Sequence, residues 1–112
     1  MGNTEAITME EGLKRVLNNK KLYHRLLNNF SGRKMVDQAA DAINNGDFEE
    51  AAKACHALKG LAANLAMHPL TDAASQVEER LKTGEPPEDL MSALRDKLED
   101  VEKAIEAFQV EE

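Results

Sequence analysis

The sequence contains no tryptophan, one cysteine and only 4% aromatic residues. A chain so poor in aromatic and β-branched residues, and rich in alanine and leucine, disfavours a β-sandwich or barrel; its 112 residues fit one domain of closely packed helices. A single cysteine cannot form an internal disulfide, so we expect a cytoplasmic protein. No apolar stretch approaches the ~20 residues of a membrane-spanning helix, and no signal-peptide segment follows Met1.

Basic residues are also scarce. Fourteen Lys and Arg stand against 21 Asp and Glu, which gives a net charge of −7. This balance argues against nucleic acid as a partner, since phosphates require a basic face, and against a polybasic membrane-binding patch. Acidic residues are concentrated in the second half of the chain. Residues 61–112 hold thirteen acidic and five basic residues, whereas residues 1–60 hold eight acidic and nine basic residues.

Helical spacing of apolar residues extends along almost the whole chain, and no strand pattern is present. We expect a flexible arm over residues 1–8 and a single helical domain over residues 9–110. The pattern predicts helices over residues 8–17, 20–30, 33–44, 47–67, 69–83 and 87–109. Thr8 with Glu11, and Asp47 with Glu50, predict capping boxes. Short connections between amphipathic helices indicate an all-α, up-down antiparallel four-helix bundle with a short extra N-terminal helix.

The helix predicted over residues 47–67 carries the most informative residues. Its apolar positions form one continuous stripe: Phe48, Ala51, Cys55, Leu58, Ala62 and Leu65. At 100° per residue, His56 lies roughly 130° from the centre of that stripe and should face solvent. Lys53, Gly60 and Met67 fall on the same outer face. Lys59 and Ala63 lie between that face and the core.

Gly60 and Lys59 are unusual neighbours for a surface histidine. A glycine inside a helix costs about 1 kcal/mol relative to alanine, so Gly60 either clears space beside His56 or permits close helix packing. Lys59 is either a solvated lysine or a cation for a dianionic group on the ring. Neutral imidazole is a good nucleophile near pH 7. Together the three residues suggest a histidine that accepts and donates a phosphoryl group.

The ten residues from His56 to Leu65, HALKGLAANL, resemble the signature of histidine-containing phosphotransfer (HPt) domains, which read H-x-L-K-G, then small residues, then N-L-G. The resemblance implies a four-helix bundle without an ATP site. Such a bundle shuttles phosphoryl groups between aspartates of response-regulator receiver domains in a multistep phosphorelay. The likeness covers most of the chain, because further matching positions lie on both sides of this motif: Leu22, Tyr23, Asn45, Gly46, Asp47, Leu70, Val77 and Glu78.

By this resemblance His56 is phosphorylated on Nε2, Lys59 steadies the phosphate and Gly60 gives access. The implied partners are receiver domains and a sensor histidine kinase. We expect no cofactor and no metal site in this chain, with Mg²⁺ bound by the receiver, and a monomeric state. The sequence departs from the family at Ala66, where glycine is frequent, which bears on how tightly two helices meet.

A docking patch is predicted around His56. Exposed apolar residues near a reactive group suit a transient, mostly apolar contact. We therefore predict Ala63 and Met67 as partner-binding residues, together with Lys53. Met35 and Gln38 on the preceding helix extend this surface. For Ala63 and Met67 the alternative is packing at the edge of the core.

The remaining candidates are weaker. Cys55 is predicted to be a buried thiol that points away from His56. His24 and His68 have no partners at metal-ligand spacing. Glu78 is expected to be a solvated acid, with a hydrogen bond to His56 as the less favoured alternative.

Two other functions remain open. The chain could be the phosphotransfer module of a chemotaxis-type kinase, phosphorylated by an ATP-binding catalytic domain. It could also be a non-catalytic helical adaptor in which the histidine is incidental. The initial methionine favours a free-standing protein over a domain of a hybrid kinase. A hydrolytic enzyme is disfavoured, because no second catalytic group accompanies His56.

Overall fold

The structure is a computed structural model that describes residues 5–108. These residues form helices and no strands, which confirms the all-α prediction. Within this range no helix is both long and apolar enough to cross a membrane. The six helices are α1 (Met9–Arg15), α2 (Lys20–Asn28), α3 (Gly32–Asn44), α4 (Phe48–Asn64), α5 (His68–Lys82) and α6 (Glu88–Ala107).

The four long helices form the predicted bundle. α3 packs on α4, α4 on α5 and α5 on α6, and α6 closes the bundle against α3. The connections between successive long helices have three to five residues, so neighbours run antiparallel. Each fully buried aliphatic side chain contributes about 1.5–3 kcal/mol to this arrangement. The most deeply buried include Leu58, Leu70, Val77, Leu94, Leu98 and Val101.

Two short helices, rather than one, cover the end of the bundle where α4 ends and α5 begins. The Tyr23 hydroxyl of α2 donates to the carbonyl of Leu65 at 3.0 Å. The Tyr23 ring packs edge-to-face against the Phe108 ring, with 5.7 Å between the ring centroids. Ile7 is buried, and the backbone N–H of Thr8 donates to the carbonyl of Ala66 at 2.8 Å. The end of the segment predicted as a flexible arm is therefore packed onto the domain. The predicted ends of the last helix and of the domain, at residues 109 and 110, lie outside the described residues.

The predicted capping box at the start of α1 is wrong. Thr8 precedes the helix, but its side chain makes no capping hydrogen bond. Glu11 is engaged elsewhere, because its carboxylate lies 2.8 Å from Nε2 of His68 and 3.3 Å from the Arg15 guanidinium. His68 thereby ties α1 to the start of α5. At α4 one half of the predicted capping box forms, because the Asp47 side chain accepts from the N–H of Glu50 at 3.0 Å. The other half does not, since the N–H of Asp47 donates to the carbonyl of Ala42 at 2.8 Å.

Helix α4 ends earlier than predicted. Its last residue is Asn64, and Ala66 adopts a left-handed conformation with φ +61°. The N–H of Met67 donates back to the carbonyl of Ala62 at 2.9 Å. This hydrogen bond is that of the Schellman motif, in which the left-handed residue is usually glycine. Met67 then precedes α5 and is fully buried. Its predicted place on the exposed face of His56 is therefore wrong, because the helical wheel does not extend past the end of the helix.

Candidate functional site

His56 lies near the middle of α4 on its exposed side. The buried face of this helix consists of Ala51, Cys55, Leu58 and Ala62, as the sequence stripe predicted. That face fixes the rotation of α4 against the core. The His56 side chain consequently remains 69% exposed. The predicted outward orientation of the histidine is confirmed.

The Glu78 carboxylate holds one nitrogen of the imidazole. Nδ1 of His56 lies 3.0 Å from Oε2 of Glu78, which comes from the neighbouring helix α5. Only 5% of the Glu78 side chain is exposed, so the prediction of a solvated acid is wrong. The reason is that Glu78 lies on the face of α5 that packs towards α4, next to Val77 and one turn before Leu81, both of which are buried.

Two lysines contact the same carboxylate. Nζ of Lys59 on α4 is 3.0 Å from Oε1 of Glu78, and Nζ of Lys82 on α5 is 3.2 Å from Oε2. Burial alone raises the pKa of Glu78, but hydrogen bonds from Lys59, Lys82 and His56 outweigh burial and lower the pKa overall. Glu78 is therefore ionised at neutral pH. Lys82 is part of this cluster although the sequence analysis did not single it out.

The ionised Glu78 determines the tautomer of His56. A carboxylate only accepts hydrogen bonds, so we assign the imidazole proton to Nδ1, which donates to Glu78. Nε2 then carries the free lone pair. Because the side chain is 69% exposed, this lone pair is available to a reactant arriving from solvent.

The lowered pKa of Glu78 predicts a pH-dependent contribution to stability. Glu78→Gln removes the charge but keeps the shape, so we expect the free energy of unfolding to fall by about 1–2 kcal/mol at neutral pH. Because folding lowers the pKa, the contribution is complete above the ordinary glutamic acid value of about 4.3 and is lost as the pH falls through the lowered value.

Urea unfolding of the two proteins between about pH 3 and pH 7 measures this contribution. The difference in free energy should be constant at neutral pH and should shrink on the acid side. Other acids titrate equally in both proteins and cancel. A difference that is the same at every pH would contradict the assignment.

Gly60 leaves open space on α4, one turn after His56. A Cβ atom added to this glycine would meet no atom within 4 Å. Close helix–helix packing therefore does not account for the glycine. The alternative, in which Gly60 clears the approach to the imidazole, agrees with the open surface at this position.

Cys55 precedes His56 in the sequence but is not a reactive residue. Its side chain is fully buried on the face of the helix that packs against the core. Burial, assisted by the nearby charge of Glu78, raises the pKa of the Cys55 thiol to about 11. It is therefore a protonated packing residue and not a second nucleophile.

A groove of about 550 Å³ opens beside His56, between α4 and α5. Phe48, Ala52 and Leu81 supply apolar lining, and Lys53 and Lys82 supply charge. Of the predicted docking residues, only Lys53 lines this groove.

The other predicted docking residues lie outside the groove. Gln38 shares a second depression with Lys53 on the side of α3. Met35 and Ala63 are half-buried. Sequence reasoning missed the contribution of α5 to the groove because the rotation of α5 against α4 cannot be read from either helix alone.

The two other histidines lie apart from this site. The His24 side chain contacts Asn28 and the Phe108 ring, while His68 pairs with Glu11. Among residues 5–108 no three His, Cys, Asp or Glu side chains are grouped so that they could hold a metal ion.

Comparison with known proteins identifies the family. The Hpt domain family model matches residues 31–104, which is more than half of the chain and includes His56, all of α3, α4 and α5, and most of α6. Searches of curated proteins and of solved structures gave no match. Hpt domains act with receiver domains and histidine kinases in phosphorelays. The chain therefore belongs to the Hpt domain family and has a histidine phosphotransfer role in phosphorelay signalling.

Proposed function

We propose that Nε2 of His56 accepts a phosphoryl group from the aspartyl phosphate of one receiver domain and passes it to the aspartate of another. The observation that carries this proposal is the division of roles between the two ring nitrogens. Nδ1 is held by the buried carboxylate of Glu78, while the rest of the ring is exposed to solvent. This arrangement fixes the ring orientation and leaves one nucleophilic nitrogen for the reaction.

The proposed step balances without a general base. The Nε2 lone pair attacks phosphorus, the N–P bond forms, and the acyl P–O bond breaks so that its electrons leave with the aspartate carboxylate. The proton on Nδ1 stays in place throughout, and the positive charge that develops on the ring is balanced by Glu78. In the transfer to the second receiver, an aspartate carboxylate oxygen attacks phosphorus, the acyl P–O bond forms, and the N–P bond breaks so that its electrons return to Nε2.

Lys59 and Lys82 are the proposed partners of the phosphoryl oxygens. They reach Glu78 from α4 and α5 respectively, so the carboxylate that holds the imidazole is contacted by a cation from each helix. An ammonium group has three rotatable donors, and each lysine can therefore keep Glu78 and also bind a phosphoryl oxygen. Any Mg²⁺ required for the reaction is proposed to be bound by the receiver.

The groove beside His56 is the proposed docking surface. Its apolar residues Phe48, Ala52 and Leu81 suit a small transient contact. Its charged lining is balanced, with Lys53 and Lys82 against Glu49 and Glu78. Gln38 extends this surface through the depression that it shares with Lys53. Met35 and Ala63, which line neither the groove nor this depression, are kept as candidate docking residues.

A reconstituted relay tests the proposed function. One receiver is phosphorylated with ³²P, mixed with the domain and then with a second receiver, and the label is followed on a gel. We expect label on the domain that is lost in acid but stable in mild base, as for an N–P bond, and then label on the second receiver. Labelling only by an ATP-binding kinase domain would favour the chemotaxis-type alternative, and no labelling at all would favour the adaptor.

A bulky side chain at Gly60 should slow transfer without disturbing the fold. In Gly60→Gln the added atoms project into open space beside the imidazole, and we expect the transfer rate to fall about tenfold or more, since each 1.4 kcal/mol of added barrier is a factor of ten. Single-turnover transfer from a phosphorylated receiver measures this rate.

Gly60→Ala is the matched control. A lone Cβ meets nothing within 4 Å, so transfer should be unchanged while helix propensity raises stability by about 1 kcal/mol. Unchanged transfer in Gly60→Gln would refute the role of the glycine in access.

A monomer in the cytoplasm is also part of the proposal. The only cysteine is buried and its thiol pKa is raised, which suits a compartment in which no disulfide is required.

A further inference from the structure

The charge of the chain is divided between two regions. Residues 12–36 contain seven Lys and Arg and no Asp or Glu, whereas the remaining 87 residues contain seven basic and 21 acidic residues. The basic stretch includes the end of α1, all of α2 and the start of α3. A strongly acidic chain thus carries one compact basic segment.

Most cations of this segment have no ionic partner among residues 5–108. Arg15 pairs with Glu11, and Arg33 pairs with Glu102. Within the described part of the chain, no ion pair involves the other exposed cations, which are Lys14, Lys20, Lys21, Arg25 and Lys34. Their charge is therefore available to a partner.

All large hydrophobic side chains that are exposed within residues 5–108 lie in this same segment. These are Leu17, Leu22 and Leu26, with 90%, 37% and 39% exposure. On α2, Tyr23 and Leu27 face the core, so at 100° per residue Lys21 and Arg25 point outward, with Leu22 and Leu26 in a parallel row beside them. We call the surface formed by Leu17, Lys21, Leu22, Arg25 and Leu26 the basic end surface.

Leu17 is not explained by the fold. It lies between α1 and α2 with φ +55°, followed by Asn18 with φ +61°. This left-handed conformation suits glycine or asparagine and is strained for leucine, and the side chain gains no burial in return because it is 90% exposed. Neither backbone conformation nor packing in the free domain favours a leucine at this position.

We propose that the basic end surface binds an acidic protein surface that carries apolar side chains. Unpaired cations beside exposed leucines match such a partner in both charge and hydrophobicity. An anionic lipid bilayer fits less well. Leu22 and Leu26 are more than half covered by the domain and cannot insert between lipids, and the strongly acidic remainder of the chain would be repelled.

This surface is separate from His56. The Tyr23 hydroxyl anchors α2 to Leu65, nine residues after His56 and therefore roughly 13 Å further along α4. A partner bound at this end leaves the imidazole open. The proposal does not depend on which protein phosphorylates the domain.

The test uses the full ¹⁵N-labelled chain and a synthetic helical peptide. The peptide has leucine at positions i, i+3, i+4 and i+7 and glutamate elsewhere; a second peptide has lysine in place of glutamate. We expect the acidic peptide alone to shift the amide signals of residues 14–26 and to bind more weakly at high salt. Lys21→Glu with Arg25→Glu should weaken binding at least tenfold.

Two further variants separate binding from folding. Lys97→Glu with Lys103→Glu on α6 makes the same charge change and should leave the affinity within twofold. Leu17→Asn should weaken binding severalfold while its Tm stays equal to wild type or rises, because asparagine tolerates the left-handed conformation.

Other outcomes overturn the proposal. These are shifts centred on the groove beside His56, equal binding of the basic peptide, or equal loss of binding in the α6 variant. Cosedimentation with phosphatidylcholine vesicles containing 30% phosphatidylserine, without peptide binding, would instead identify a lipid surface.

Discussion

His56→Gln is expected to abolish phosphoryl incorporation while the domain stays folded. Glutamine has no nucleophilic nitrogen lone pair, but it is a good helix former and the site is 69% exposed, so we expect the Tm to change by no more than about 2 °C. Incubation with a ³²P-labelled receiver measures incorporation, and the reconstituted relay measures flow to a second receiver.

His24→Gln and His68→Gln are the matched controls for this variant. Both histidines lie outside the site, where they contact Asn28 and Glu11 respectively. Both variants should incorporate phosphate as the unmodified chain does. If His56→Gln still carried phosphate between two receivers, or if one of the control variants lost it, His56 would not be the acceptor.

Glu78→Gln is expected to slow transfer about 10- to 100-fold without unfolding the domain. A hydrogen bond to a charged group contributes about 1.5–3 kcal/mol, and here it both orients the ring and balances the charge that develops on it. The amide of glutamine can donate as well as accept, so the fixed Nδ1–H tautomer should also be lost. Transfer rates and the ¹⁵N shifts of the imidazole measure the two effects.

Glu79→Gln provides the control, because Glu79 is the exposed neighbour of Glu78 on the same helix. It removes the same charge from the chain and should leave both the rate and the tautomer unchanged. An unaltered Nδ1–H signal in Glu78→Gln together with slower transfer would assign Glu78 a purely electrostatic role. Unaltered transfer would remove Glu78 from the mechanism.

The exposed position of His56 was predictable because it depends on one helix. The apolar stripe of α4 is a local pattern, and the core it faces leaves one rotation for the helix. The open space at Gly60 follows from the same helix. For the same reason the long helices and their antiparallel order could be predicted from spacing and short connections.

The errors arose where two segments meet. The burial of Glu78 and the contribution of Lys82 depend on how α5 is rotated against α4, which neither sequence segment specifies alone. The burial of Met67 depends on Ala66, because alanine gives no sequence signal for a left-handed helix end that glycine would have marked. Likewise Glu11 does not complete the predicted capping box because its carboxylate pairs with His68, 57 positions later in the chain.

The contacts around Glu78 have a consequence for selectivity. In the free domain Glu78 already holds the imidazole through Nδ1, and ammonium groups from two helices contact the same carboxylate. In the proposed mechanism an incoming donor meets a ring that is already oriented, so we expect differently shaped donors to react at similar rates once phosphorus reaches the ring. We then expect discrimination among donors to come from how long each one stays on the outer surface of the bundle, rather than from the reacting atoms.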